Sequence, residues 1–286
     1  MTDRTVSLIA LADLPPTGAT SRWVDGEVGL HVLDYPGPAT GTNLATIVLV
    51  PGISMPAVGM DFVARALAGT RRVLVPDVRG RGLSQSGDDY SMSACAADLE
   101  RIVTALVPDV RAVLVGHSMG ARIVTLVASR GRIEHGGVVA IDPPVSGPGR
   151  DPYPTSREAF MGQVEQALRG TTADEVAVSW PSWPRREQEI RARWLGSCAP
   201  DAIGETHAGF ESEDFFTWWP SVPRPVAFVR GAESPVVPEE VMGEVTNANP
   251  HASVHTVETA GHMVFWDNVD GARRVLADAL HAIGAD

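Results

Sequence analysis

Val113-Leu-Val-Gly-His-Ser-Met-Gly-Ala-Arg122 is the stretch that decides the fold. Strand-forming residues, Arg111-Ala-Val-Leu-Val115, run into Gly116, and a helical pattern follows from about Met119 to Arg130. Ser118 sits at the centre of Gly-x-Ser-x-Gly, so the chain must turn sharply from strand to helix at that residue. Glycines at 116 and 120 remove side chains that would collide in so tight a turn, leaving the Ser118 hydroxyl above the sheet. The first amide N–H groups of the helix point at the same spot, because they have no partner within the helix. A hydroxyl nucleophile above amide donors is the start of an acyl-transfer site. An ordinary glycine turn is the plainer reading of five such residues; the strand before and the helix after favour the acyl-transfer site.

Outward from this turn, apolar runs alternate with helical patterns. Ala45-Thr-Ile-Val-Leu-Val50 and Arg72-Val-Leu-Val-Pro76 precede it, with helices expected near Asp61 to Ala68 and Ser91 to Leu106. Gly137-Val-Val-Ala-Ile141, Pro225-Val-Ala-Phe-Val229 and Ala252-Ser-Val-His-Thr-Val257 follow it, and a helix from about Val269 to Ile283 closes the chain. Continuous apolar runs suit strands buried on both faces, so the expectation is an α/β fold with a mostly parallel, doubly wound sheet. Residues 21–35, broken by Asp25-Gly26, read as an antiparallel edge hairpin. Between about 145 and 223 the rhythm breaks in a segment rich in Trp, Pro and Arg, which reads as a helical cap inserted between two parts of the core, residues 1–144 and 224–286.

The 286 residues carry a net charge of -12, which argues against nucleic acid or an anionic membrane as partner and leaves a small molecule. Lysine is absent, which excludes Schiff-base chemistry, a pyridoxal phosphate link and a Walker phosphate loop. Cys95 and Cys198 form no C-x-x-C pair and have no zinc-like His spacing, so they read as buried thiols. No cofactor and no metal is expected. Met1-Thr-Asp-Arg-Thr-Val lacks the pattern of a secretory leader and no run reaches membrane-spanning length; a cytoplasmic location is the expectation.

In an open α/β sheet the loops at the carboxyl ends of the strands share one crevice. Ser118, Asp142, Glu233 and His262 all fall on such loops. A serine hydroxyl needs a base within hydrogen-bond reach, and the base needs a carboxylate to fix its tautomer. Of eight histidines, His262 alone lies in a Gly-His loop after a C-terminal strand. His117 adjoins the nucleophile and reads as a packing or pocket-shaping residue; His251 and His255 flank a strand and share no helical face; His31, His135, His207 and His281 suggest no partner.

Gly116-His-Ser-Met-Gly120, Asp77-Val-Arg-Gly-Arg-Gly-Leu-Ser84 and Ala260-Gly-His-Met263 resemble the α/β-hydrolase fold superfamily, in matching order over nearly the whole chain. A narrower resemblance, to the N-formylmaleamate deformylases of bacterial nicotinate breakdown, rests on Asp142-Pro-Pro-Val-Ser-Gly-Pro-Gly-Arg150, Ala94-Cys-Ala-Ala-Asp98 and Trp266-Asp267 after Gly261-His-Met. Most of the superfamily takes its acid from the position of Ser234, which cannot serve. Glu233 is one residue early, whereas the deformylases use the position of Asp142, so the resemblance favours Asp142 with Glu233 as the alternative. The oxyanion donors would be the N–H groups of Ile53 and Met119.

The resemblance implies a serine hydrolase cleaving the C–N amide bond of a small carboxylate-bearing substrate, with carboxylesterase, lactonase or carbon–carbon bond hydrolase on the same Ser118, His262 and Asp142 as the alternative. A ligand-binding member without turnover is disfavoured by the complete set, and dehalogenase or epoxide hydrolase chemistry by a serine at 118. The substrate's carboxylate would need a cation or hydroxyl, for which Arg122, Arg150 and Tyr153 are nearest in sequence.

Overall fold

The computed structural model describes residues 18–39, 44–108 and 111–285. Residues 1–17, read above for a leader, lie outside the described residues. The strands are β1 (Thr20–Val24), β2 (Leu30–Tyr35), β3 (Ile47–Val50), β4 (Val73–Pro76), β5 (Ala112–His117), β6 (His135–Ile141), β7 (Val226–Gly231) and β8 (Ser253–Val257). Among the described residues they form one sheet in the order β1-β2-β4-β3-β5-β6-β7-β8. The hairpin β1–β2 pairs antiparallel, as does β2 with β4; every other pair is parallel.

Side chains of a strand alternate between faces, and here both faces are covered. Val48, Val50, Ala112 and Leu114 pack on one side with α2 (Met92–Leu106) and α3 (Met119–Arg130). Ile47, Leu49, Val113 and Val115 pack on the other with α1 (Asp61–Ala68) and α10 (Val269–Ala282). The helix α2 buries Cys95, Leu99, Ile102 and Val103 on one stripe, and Ser91 caps its start by accepting the Ala94 N–H at 3.2 Å. Its Asp98 takes Nε and Nη2 of Arg79 at 2.6 and 2.8 Å, which fastens the helix to the Asp77–Ser84 loop. Asp77 in turn accepts from the N–H of Ala57 and of Leu83 and faces Nδ1 of His31 at 2.7 Å, a partner that lies 46 residues away and that no local pattern reveals.

Parallel registry brings the functional loops level. Val50 pairs with Gly116, His117 with Ile141, Ile141 with Val229 and Gly231 with Val257, so residues 51, 118, 142, 232 and 258 all leave the sheet on the same edge. Between β6 and β7 the chain forms α4 (Arg157–Arg169), α5 (Ala173–Ser179), α6 (Arg185–Trp194) and α7 (Pro200–Ser212). Trp183, just before α6, stacks on Trp180 and on Trp266 from the short helix α9 (Val264–Asp267), with ring centroids 4.8 and 5.2 Å apart. That stack ties this helical segment to the loop carrying His262. The helices α8 (Met242–Ala248) and α9 were not anticipated from the sequence. No helix among the described residues is long and apolar enough to cross a membrane.

Candidate active site

The turn after β5 is held in an unusual conformation. Ser118 has φ 56° and ψ -121°, outside the regions a serine ordinarily occupies. Its N–H donates to Ile141 O at 2.8 Å, which pins the strained residue to the neighbouring strand. A Cβ on Gly116 would collide with the Gly120 carbonyl, and one on Gly120 with the Val50 carbonyl, so both glycines are required for the close approach. The result places the Ser118 hydroxyl at the N-terminus of α3.

His262 reaches it from the loop after β8, with Nε2 3.0 Å from Ser118 Oγ. On the other side of the ring, Nδ1 lies 2.7 Å from Asp142 Oδ2. A carboxylate only accepts, so the proton resides on Nδ1, which leaves Nε2 free to accept from the serine hydroxyl. Asp142 is fully buried and itself left-handed at φ 50°, a bend that turns its side chain across the end of β7. There Gly231 N–H donates to Oδ1 at 2.9 Å, and the Ser234 hydroxyl donates to Oδ2 at 2.5 Å. Three donors therefore converge on one carboxylate. Glu233 points elsewhere: it is exposed, and its backbone N–H closes the turn onto Ala260 O. Of the two acids the sequence left open, Asp142 is the one in contact with His262.

The loop after β3 passes close over the serine. A Cβ on Gly52 would lie 3.3 Å from Ser118 Cβ and 3.7 Å from its Oγ, so the absence of a side chain there lets residues 52 and 53 approach. Neither Ile53 N–H nor Met119 N–H has an acceptor among the described residues. Arg81, fully buried, steadies both residues: its Nε donates to Ile53 O at 3.0 Å, and its Nη2 lies 3.8 Å from Met119 Sδ. The same guanidinium reaches Ala202 O and Thr206 Oγ1 on α7. The sequence singled out the loop but gave Arg81 no role.

The cavity in front of Ser118 encloses about 70 Å³ and is walled by Met55, Phe160, Trp180, Trp183 and Met263 among others. Tyr153 also lines it, its hydroxyl 3.3 Å from His262 Nε2, and burial raises that phenol well above its ordinary range. His117 lines it too. Its Nε2–H donates to the His262 carbonyl at 2.8 Å, and burial, with the neighbouring His262 adding to it, pushes its pKa down to about 3. His117 is therefore a neutral spacer beside the loop that carries His262, in keeping with a pocket-shaping residue.

The two arginines expected to meet a substrate carboxylate do not line this cavity. Arg122, one turn after Ser118, is fully buried and donates to the carbonyls of Pro144, Ser146 and Glu213. Those carbonyls, from the chain after β6 and from the end of α7, hold the guanidinium away from the cavity. Arg150 forks onto Glu244 at 2.6 and 2.8 Å, also contacts Asp214, and lies over the Phe216 ring, so its charge is already compensated. The cation that does line the cavity is Arg191 of α6, with Ser54 and Gln163. No sequence signal marked it, because Arg185-Arg-Glu-Gln-Glu-Ile-Arg-Ala-Arg-Trp194 reads as a charged surface helix. Among the described residues no group of three or more His, Cys, Asp or Glu is arranged to hold a metal ion.

Residues 47–277 match the model of the alpha/beta hydrolase family. The N-formylmaleamate deformylase of Pseudomonas putida is 36% identical over 252 residues, 87% of this chain and 92% of that protein. A crystal structure of the N-formylmaleamic acid deformylase from Pseudomonas putida superimposes with a TM-score of 0.83 at 35% identity, covering 90% of this chain and 99% of the other. The 2-(acetamidomethylene)succinate hydrolase of Mesorhizobium japonicum is 28% identical over 271 residues, 88% of this chain and 92% of its own.

Proposed function

The chain belongs to the alpha/beta hydrolase family, and from that premise we propose that it is a serine hydrolase acting on a small carboxylate-bearing amide, with N-formylmaleamate as the favoured substrate and maleamate and formate as products. The observation that carries the reading is the unbroken chain from Ser118 Oγ through His262 to the buried Asp142, at 3.0 and 2.7 Å. The similarity to the deformylases supports the choice of substrate, and the small cavity favours a compact molecule over a lipid.

In the first half-reaction Ser118 Oγ attacks the formyl carbon while its proton passes to His262 Nε2. The carbonyl oxygen gains negative charge and is received by the N–H groups of Ile53 and Met119; losing one such donor typically costs about 3 kcal/mol of transition-state stabilisation. Collapse of the tetrahedral species breaks the C–N bond, and the imidazolium, stabilised by Asp142, delivers its proton to the departing nitrogen. Maleamate leaves and a formyl ester remains on Ser118. Water then attacks that ester as His262 takes its proton, and collapse returns the proton to Ser118 Oγ and releases formate. Residues 145–223 act as a cap that walls this chemistry off from solvent, and no cofactor takes part. The two buried free thiols, Cys95 and Cys198, suit a cytoplasmic enzyme.

The test is formate release from N-formylmaleamate set beside turnover of a panel of p-nitrophenyl esters. Formate released in step with substrate loss, and abolished in Ser118→Ala, supports the reading. Ester turnover without formate moves the protein to the carboxylesterases.

A further inference from the structure

Three buried guanidinium groups, those of Arg81, Arg122 and Arg191, have no ion pair among the described residues. Arg81 and Arg122 are both 0% exposed and are occupied by protein acceptors on every side, so they hold loops together. Arg191, 8% exposed, differs in two respects. It borders the Ser118 cavity, and its bonds fall on only two residues. Nη1 donates to Ser54 O at 2.9 Å and to Ser54 Oγ at 3.2 Å; Nη2 shares that same hydroxyl at 3.2 Å and reaches Gln163 Oε1 at 3.0 Å. Its Nε–H has no acceptor among the described residues.

A cation held out of water beside neutral oxygens is unfavourable until an anion joins it. Burial accordingly lowers the basicity of Arg191. What sets Arg191 apart from Arg81 and Arg122, which also lack a carboxylate, is that it borders the cavity, where an anion can reach it. Ser54 follows Ile53 directly, so an anion at Arg191 sits next to the loop that presents the oxyanion donor.

We infer that Arg191, oriented by Ser54 and Gln163, is the docking point for the substrate's carboxylate. This rests on the reading of Ser118 as nucleophile and narrows it: the substrate is a short acid whose carboxylate and scissile acyl group both fit in one small cavity. A planar guanidinium suits that task because two of its N–H groups can meet both oxygens of a carboxylate at once. Neutral esters and uncharged amides lack the group that would complete the site.

The experiment has two arms. In the first, Ser118→Ala protein is titrated with maleamate and with its uncharged diamide, maleamide, following the fluorescence of Trp180 and Trp183, which line the cavity. Maleamate is expected to bind more tightly than maleamide, and Arg191→Met in the same background to weaken maleamate by about a hundredfold. In the second, the ratio of kcat/KM for N-formylmaleamate to that for p-nitrophenyl acetate is expected to fall at least tenfold in Arg191→Met, with Arg191→Lys falling between the two. Melting curves identify a variant that does not fold, in which case Arg191→Lys and Gln163→Leu carry the comparison. A folded variant that binds maleamate as the parent does, or loses both substrates equally, overturns the assignment. Maleamate binding that depends on Arg191 in a protein releasing no formate would instead keep the subsite and reject the deformylase reading.

Discussion

Replacing Asp142 by Asn keeps the shape of the acid and removes only its charge and one acceptor, so the structure fixes what must follow. Gly231 N–H needs an acceptor at Oδ1, while His262 Nδ1–H and the Ser234 hydroxyl both need one at Oδ2. An asparagine supplies one oxygen. If that oxygen faces Gly231, its NH₂ faces Nδ1 of His262, and the imidazole must accept there and carry its proton on Nε2. In that tautomer Nε2 no longer accepts from Ser118. If the amide is flipped, two N–H donors oppose each other at Gly231 in a site without solvent. Turnover should therefore fall by about 10³ to 10⁴, equivalent to roughly 4 to 5 kcal/mol of barrier. Folding should lose only about 1 to 3 kcal/mol, since one buried group is left unmatched. Steady-state kcat/KM and a melting curve on Asp142→Asn and Glu233→Gln separate these effects. Activity within tenfold of the parent in Asp142→Asn, or a larger loss in Glu233→Gln, refutes the argument.

Other consequences can be measured on the same protein. Tyr153→Phe removes the hydroxyl 3.3 Å from His262 Nε2 and should lower kcat by about three- to tenfold, roughly the value of one neutral hydrogen bond; a loss beyond a thousandfold would make the phenol a proton donor. Arg122→Met strands the carbonyls of Pro144, Ser146 and Glu213 and should cost about 3 kcal/mol or more in chemical denaturation, with KM for the acid little changed in the protein that remains folded. His117 has a folded pKa pushed down to about 3, below the unfolded value near 6.5, so between those limits the unfolded chain binds a proton that the native one refuses. Stability should therefore fall as pH drops below about 6.5, by up to about 1.4 kcal/mol per unit from this group, and His117→Gln should flatten that slope; an unchanged slope would mean that the histidine protonates in the folded state.

Much of this arrangement could be read from the chain because it is local or periodic. The strand, turn and helix around Ser118 follow from apolar residues ending at Gly116, and the helices at residues 61–68 and 119–130 fall where the pattern puts them. The edge hairpin and the alternation of strands and helices likewise emerge as expected. Asp142 was legible only through resemblance, since nothing local distinguishes it from Glu233; what separates them is the backbone at Asp142 and the donors of Gly231 and Ser234, about 90 residues on. The arginines were misjudged for the same reason. Nearness in sequence favoured Arg122 and Arg150, yet the carbonyls of Pro144, Ser146 and Glu213 occupy the first and Glu244 pairs with the second, so neither lines the cavity. Arg191 enters it from a polar helix, where charge usually means water. Short elements such as α8 and α9 carry too few residues for periodicity to register.

The central claim is that the Ser118 hydroxyl is made nucleophilic by His262. Intact-protein mass spectrometry after treatment with diisopropyl fluorophosphate tests it most directly. A single phosphoryl group should be found, mapped by peptide digestion to Ser118, accompanied by complete loss of hydrolysis, and missing in both Ser118→Ala and His262→Ala. A label on a different residue, or an unlabelled protein that has nonetheless lost its activity, would contradict the account.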